Sequence, residues 1–445
     1  MLTRACLTTI ALLVTMPAWS QALPTAAAGP DISDEYRMPI PPMASGQAFP
    51  TTTLSETRSN YLDGGLTFQP AYNDNLLPGN GTQPIGDMSY SIRPIIELDR
   101  LTPRLHQTWG YHPGFTMYKK TSARNEADQS ASLALQYRLS EHTTVSGQDS
   151  FIQSSNVFNQ PDSLSGGPIS GSPPSSPADV IVPFADRLTN TANAEVAYQF
   201  SMNGMVGAGG TTAMFNYPNQ SQSSSLYNSN SRGGSAFYNR RLFGTQYIGV
   251  TYQYMRILGN PQIGQLEIQT HTIFPFYTAF LGHAFSLSLA AGPQYFSYAL
   301  SPFPTSQSWT PAAMGSVGWQ AEHASLAASY SRTVSGGGGL LGAKSSNRAS
   351  ASATWQMTRT WNVGSTAGYA IYKNESSLSL SPSLGGHSVS GAVTIDHTLS
   401  DRLTIEVGYQ RLHQSYSGIA VITSDPDVDR EFASISYQFT RPLGR

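Results

Sequence analysis

From Leu62 onward, apolar and polar residues alternate with a period of two, the spacing of strands whose faces meet different surroundings. Met88, Tyr90, Ile92, Pro94, Ile96 and Leu98 alternate with Ser89, Ser91, Arg93, Ile95 and Glu97. Ala131, Leu133, Leu135, Tyr137 and Leu139 alternate with Ser132, Ala134, Gln136 and Arg138. Ala192, Ala194, Val196, Tyr198 and Phe200 stand against Asn193, Glu195, Ala197 and Gln199. Leu403, Ile405, Val407 and Tyr409 stand against Thr404, Glu406, Gly408 and Gln410. Two segments, 203–215 and 229–243, alternate weakly, so the strand count carries an uncertainty of two.

The connectors come in two alternating kinds. The short kind falls at 100–104, 139–142, 201–203, 243–245, 282–284, 321–323, 357–360 and 399–402. The long kind is rich in Gly, Ser and Asn and falls at 73–86, 119–127, 155–187, 217–230, 256–265, 297–308, 335–346, 373–386 and 414–429. Eight short and nine long connectors imply eighteen strands. Alternating short turns and long loops between strands of ~9–11 residues is the habit of transmembrane barrels. The pattern therefore predicts an all-β fold, a closed antiparallel up-and-down transmembrane β-barrel of about eighteen strands spanning 61–439. In lipid an unpaired sheet edge is untenable, so such a sheet must close. A secreted β-sandwich or solenoid would also show period two, but no fixed-period repeat supports a solenoid.

The composition agrees. Among 445 residues only 12% are charged, against about 25% in ordinary soluble domains. Mean hydropathy is nevertheless −0.24, because neutral polar residues, not apolar ones, replace the charge. No apolar run of ~20 residues follows the first 25 positions, which excludes a helical membrane protein. A net charge of −2 gives no reason to expect nucleic acid. Aromatics sit near expected strand ends, among them Phe68, Tyr72, Trp109, Tyr118, Tyr252, Trp319, Trp355, Trp361 and Tyr369.

The termini add processing and assembly signals. Arg4, the apolar run Ala5–Val14 and Ser20-Gln21-Ala22 read as a signal peptide over 1–22. Cys6 would leave with it, so the mature chain could form no disulfide and no thiolate metal site. Residues 23–60, rich in Pro, read as a disordered periplasmic lead, too short to be a folded plug domain. At the other end Ala433, Ile435, Tyr437 and Phe439 alternate with Ser434, Ser436 and Gln438, and a short tail, 440–445, follows. This resembles the terminal strand through which bacterial outer-membrane barrels are recognised and inserted. The opening stretch, Gly65-Leu66-Thr67-Phe68 through Tyr72-Asn73-Asp74-Asn75, looks like the first strand of uncharacterised porin-like barrels, some associated with exopolysaccharide systems. The resemblance covers about 62–439. It implies an outer-membrane location, contact with outer-membrane lipid and the barrel-assembly machinery, and passage of small polar solutes or polysaccharide. A homotrimer is compatible with it.

Candidate pore-lining residues by strand parity are Arg93, Glu97, His106, His112, Arg138, Glu195, Glu267, His271, Arg348, Asp396 and Glu406. With both signs present, either a weakly selective mixed lining or mutually paired lumen charges follows. The 155–187 loop carries six prolines and ends in Val180, Ile181, Val182, Pro183 and Phe184. Val180, Ile181, Val182 and Phe184 either pack into the mouth as a constriction or belong to an exposed surface loop. Asp149 shares parity with Val145 and Phe151, so regular alternation aims it at lipid unless a β-bulge near Gly147 or a headgroup-level position intervenes.

Catalysis has weak support. His106 and His112 share a face beside Ser89 and Ser91, yet no nucleophile signature surrounds them, and no enzyme activity is expected. The nine His show no HxH or HExxH spacing, and Gly336–Gly339 precedes no helix, so neither a metal nor a cofactor is expected. The expected function is a passive channel. Its alternative is a non-conducting barrel whose long loops bind a surface partner or glycan.

Overall fold

A computed structural model describes residue 38 and residues 60–76, 85–156, 184–218, 227–261, 264–282, 284–335, 344–374, 385–417 and 427–443. The expected signal peptide and Val180, Ile181 and Val182 lie outside the described residues, as does all of the lead before residue 60 except Met38. Eighteen strands form one sheet. In order they are β1 Tyr61–Asn73, β2 Asp87–Leu101, β3 Leu105–Tyr118, β4 Glu126–Arg138, β5 Thr143–Asn156 and β6 Phe184–Ser201. Then come β7 Gly204–Asn216, β8 Ser229–Phe243, β9 Gln246–Gly259, β10 Leu266–Leu281, β11 Phe285–Leu300 and β12 Ser306–Gln320. The rest are β13 Ala324–Ser335, β14 Lys344–Gln356, β15 Trp361–Asn374, β16 Gly385–Ser400, β17 Leu403–Ser417 and β18 Asp427–Pro442.

Each strand pairs antiparallel with its sequence neighbours, and β1 pairs with both β2 and β18, so the sheet closes into a barrel. Closure is what an all-strand wall requires in a medium that cannot hydrogen-bond an edge. The strands run 12–18 residues, longer than a bilayer crossing demands, so their ends continue beyond it. Two connectors read as long are consequently brief, at 260–265 and 301–305. The terminal strand also runs three residues past Phe439, to Pro442, which pairs with Tyr61.

The short turns and the glycine spacing have local causes. Gly244 and Gly282 adopt φ of 43° and 65°, left-handed values open to Gly at little cost. Inside the wall, a Cβ at Gly207 would overlap the Phe237 ring. The weak alternation of β7 and β8 has the same origin, since their inner face includes Gly207, Gly209 and Gly233, with the Phe237 ring laid across the gap at Gly207.

Candidate functional site: the barrel lumen

The two faces of the wall differ as the sequence requires. The outer surface shows Leu66, Phe68, Ile92, Phe115, Val196, Leu289, Val393 and Val407, all more than a third exposed. Aromatics form two belts. Tyr198, Phe200, Trp319, Trp355, Trp361, Tyr437 and Phe439 ring the short-turn end, and Tyr72, Tyr90, Tyr252, Trp309, Tyr330 and Tyr369 ring the long-loop end. Trp309 and Trp319 are ten positions apart on β12. At ~3.3 Å per residue and a tilt of ~40°, that is about 25 Å of height, the thickness of a barrel's apolar band.

The lumen is asymmetric. The wall from β16 through β1 to β4 is charged. Arg430, 2% exposed, lies within electrostatic reach of Arg93, Glu126 and Asp128, and its guanidinium donates to Gln69 at 3.4 Å. Asp396 and Glu406 are register partners on the inner face, with the Ser434 hydroxyl donating to Glu406 at 3.1 Å. Towards the short-turn end His112 meets Glu97 at 2.9 Å and His106 meets Asp99 at 3.3 Å.

The opposite wall, β6 to β13, is apolar at both ends and polar between them. At the long-loop end Leu266, Ile268, Phe296, Tyr298 and Val334 pack together inside the barrel. Val334 belongs here because β13 leaves β12 above Arg332, while its pairing with β14 continues to Ser335. The freed backbone folds over the lumen, where Val334 N–H donates to Gln294 Oε1 at 2.8 Å and Gln294 Nε2 donates to Val334 O at 3.3 Å. At the short-turn end Met38 is 2% exposed among Ala197, Met205, Phe237 and Tyr247, and its N–H donates to Gln199 at 3.2 Å. A residue of the N-terminal lead therefore sits inside the barrel. Between the clusters lies a cavity of about 110 Å³. It is crossed by one polar row of register partners, Glu195, Gly209, Ser235, Gln253, Thr272 and Gln294.

Of the predicted lining residues, Arg93, Glu97, His106, His112, Arg138, Glu195, Arg348, Asp396 and Glu406 do lie on the inner face. Glu267 and His271 do not. Both share the outer face of β10 with Ile273 and Pro275, beyond or within the long-loop aromatic belt. There Arg256 hydrogen-bonds Glu267 at 2.8 Å and holds its carboxyl below the usual carboxylate range. His271 Nδ1 meets the Tyr252 hydroxyl at 2.7 Å. The reason is that β10 is apolar on both faces: Leu266, Ile268, Phe274 and Phe276 fill the lumen, so apolar parity no longer marks the outside.

Phe184 opens β6 as a strand residue opposite Asn156. Asp149 does face outward; the pairing at Gly147 is regular on both sides, so of the two expected resolutions the bulge is absent, and Asn190 Nδ2 donates to Asp149 at 2.9 Å. The His and Ser considered for catalysis stay apart in their contacts: Ser91 bonds Thr116 at 2.9 Å and Ser89 the Ala71 carbonyl at 3.4 Å. Among the described residues no group of three His, Cys, Asp or Glu could hold a metal. The sequence reading missed Arg430, Asp128 and Glu126, though strand parity places all three inward. At the long-loop rim, burial opposes charge on Asp87, but the Thr121 hydroxyl and the N–H groups of Thr121, Lys120 and Met88 outweigh it and hold its carboxyl below the usual range.

No protein-family model and no curated protein matches the chain. Solved structures that resemble it include OccK2 (OpdF) of Pseudomonas aeruginosa in complex with glucuronate, at TM-score 0.42 and 9% identity over 85% of this chain and 98% of that one. The outer membrane protein OpdK of the same organism resembles it at TM-score 0.40 and 9% identity, over 85% and 99%. The FrpB iron transporter of Neisseria meningitidis (F3-3 variant) does so at TM-score 0.40 and 12% identity, over 80% of this chain and 62% of its own length. At this distance the barrel architecture rests on the chain's own strand pairing, which is complete around the wall.

Proposed function

We propose that the chain is a passive, porin-like channel for small polar solutes in a Gram-negative outer membrane. The observation that carries this reading is the two-sided wall: an apolar exterior between aromatic belts about 25 Å apart, enclosing a lumen lined by charged and neutral polar side chains. A closed barrel of this strand number encloses more space than side chains alone fill. In this reading the short turns face the periplasm, residues 1–22 are removed on export, and Ile435, Tyr437 and Phe439 present the assembly signal. The clusters around Val334 and Met38 narrow the path, which favours small solutes over a polysaccharide chain. The chain performs no chemistry on what passes.

Liposome swelling tests this. Vesicles carrying the protein should swell in isotonic arabinose faster than in glucose and faster again than in sucrose. Rates equal to those of protein-free vesicles would sink the proposal. A second reading, a non-conducting barrel whose long loops bind a partner or glycan, is favoured by one observation. Leu266, Ile268, Leu412 and Val428 are all fully buried towards the long-loop end. Swelling decides between the two.

A further inference from the structure

The outer rim of the barrel is electrically lopsided. Between Glu195 and Glu322 the sequence holds a single acidic residue, Glu267. Towards the long-loop end that stretch sets two exposed arginines on the outer face, Arg232 on β8 and Arg256 on β9, at the parity of Tyr238 and Tyr252. Across the barrel the outer positions of β18 are acidic, with Asp427 and Asp429 holding Arg411 of β17 at 3.5 and 3.8 Å. Arg232 and Arg256 are direct register partners, and like charges so placed repel. Glu267 engages Nε of Arg256 at 2.8 Å. Arg232 makes no hydrogen bond or ion pair among the described residues, so the pair keeps a net positive charge and lacks a second anion.

The surrounding wall says what that anion is attached to. One outward position nearer the membrane middle lies a row of rings, Tyr254, His271, Tyr295 and Trp309, which are register partners on β9 to β12. Successive centroids are 4.9, 6.0 and 5.3 Å apart. Such an aromatic row marks the headgroup level of a bilayer, so the two arginines stand where lipid phosphates lie. Beside Arg256 in its own register row come Gln269 and Ser297, neutral hydrogen-bonding groups within two strand spacings, about 10 Å, the width of a disaccharide. Below the rings Val250 and Ile273 are 40% and 46% exposed. From loop to mid-wall the order is therefore cation and polar row, rings, then aliphatic surface, which matches phosphate and sugar above acyl chains.

We propose that this face binds a phosphorylated glycolipid of the outer leaflet, of the lipid A class, with one phosphate shared by Arg232 and Arg256. Its sugar lies along Gln269 and Ser297, and an acyl chain lies against Val250 and Ile273. A phosphate between the two guanidinium groups replaces their repulsion with charge-assisted hydrogen bonds, and the planar guanidinium fork suits phosphate oxygens. The acidic face on β18 would repel the same headgroup. The proposal rests on the outer-membrane location and is independent of whether the lumen conducts.

The test is native mass spectrometry of the full chain, folded in an uncharged detergent and titrated with lipid A. The barrel should retain one lipid A, and should retain neither the same lipid stripped of its phosphates nor inorganic phosphate. Arg232→Gln should weaken retention by about tenfold, while Arg411→Gln, on the acidic face, should leave it unchanged. Heat-modifiable gel migration confirms that each variant is folded, and if Arg232→Gln fails to fold, the phosphorylated and phosphate-free lipids still decide on the wild type. Equal retention of the two lipids would show binding through the tails alone and overturns the proposal. Unchanged retention in Arg232→Gln, or an equal loss in Arg411→Gln, overturns it as well. Displacement of the lipid by an equal concentration of inorganic phosphate would assign the pair to a free anion, and dimers dissolved by Arg232→Gln would assign it to a second copy; either result overturns it. All of these outcomes leave the channel reading to its own swelling test.

Discussion

Replacing Leu289 by Arg tests the assignment of the outer wall. Leu289 is 51% exposed on the outer face of β11, six positions from Tyr295 and four from Phe285, and so close to mid-height of the apolar band. An Arg at the midplane of a barrel's lipid face costs roughly 2–4 kcal/mol, and long side chains recover part of that only by reaching an interface. From mid-height the interface lies about 12 Å away, beyond an Arg side chain's reach, so the upper half of that range, about 3 kcal/mol, is expected. That is more than two orders of magnitude in the folded-to-unfolded ratio. Ser316→Arg is the matched control, because Ser316 faces the lumen one register step from Gly315, the partner of Leu289. Urea titration of folding in lipid vesicles, followed by tryptophan fluorescence, measures both. A loss below about 1 kcal/mol for Leu289→Arg, or a larger loss for Ser316→Arg, would refute the lipid-facing assignment.

Other outcomes follow from the lumen. Gln294→Ala removes both bonds that hold Val334 over the lumen, so single-channel conductance should rise; an unchanged conductance would show that the end of β13 does not limit flow. Met38→Asp would bury a carboxylate among Ala197, Met205, Phe237 and Tyr247, and expelling it should likewise raise conductance, whereas identical traces would remove Met38 from the conduction path. Because the folded pKa of Asp87 is depressed below its ordinary 3.8, its contribution to the 119–125 loop is complete above that value and is lost as pH falls through the lower folded value. Hydrogen exchange at Lys120 and Thr121 should therefore accelerate only in that acidic window, and in Asp87→Asn it should be fast at all pH values.

The strand count and most strand faces were legible in the sequence because a wall between lipid and water imposes a period of two along most strands. The limits have physical causes. Where the lumen is itself apolar, as on β10, hydrophobicity marks both faces, and Glu267 and His271 were placed inside when they lie outside. Where the inner face is glycine, as on β7, alternation fades although the strand is regular. The row from Glu195 to Gln294 joins one acidic and five neutral residues on six strands and emerges only from the register, which no single strand encodes. The seating of Met38 beside Gln199 and the turn of Val334 onto Gln294 are likewise contacts between distant segments, invisible to any local pattern.

Single-channel recording in planar lipid bilayers bears most directly on the central claim. A water-filled lumen predicts stable, uniform conductance steps as individual barrels insert. A bilayer that stays sealed at high protein density, with the barrel shown to be folded by its heat-modifiable migration, would contradict it.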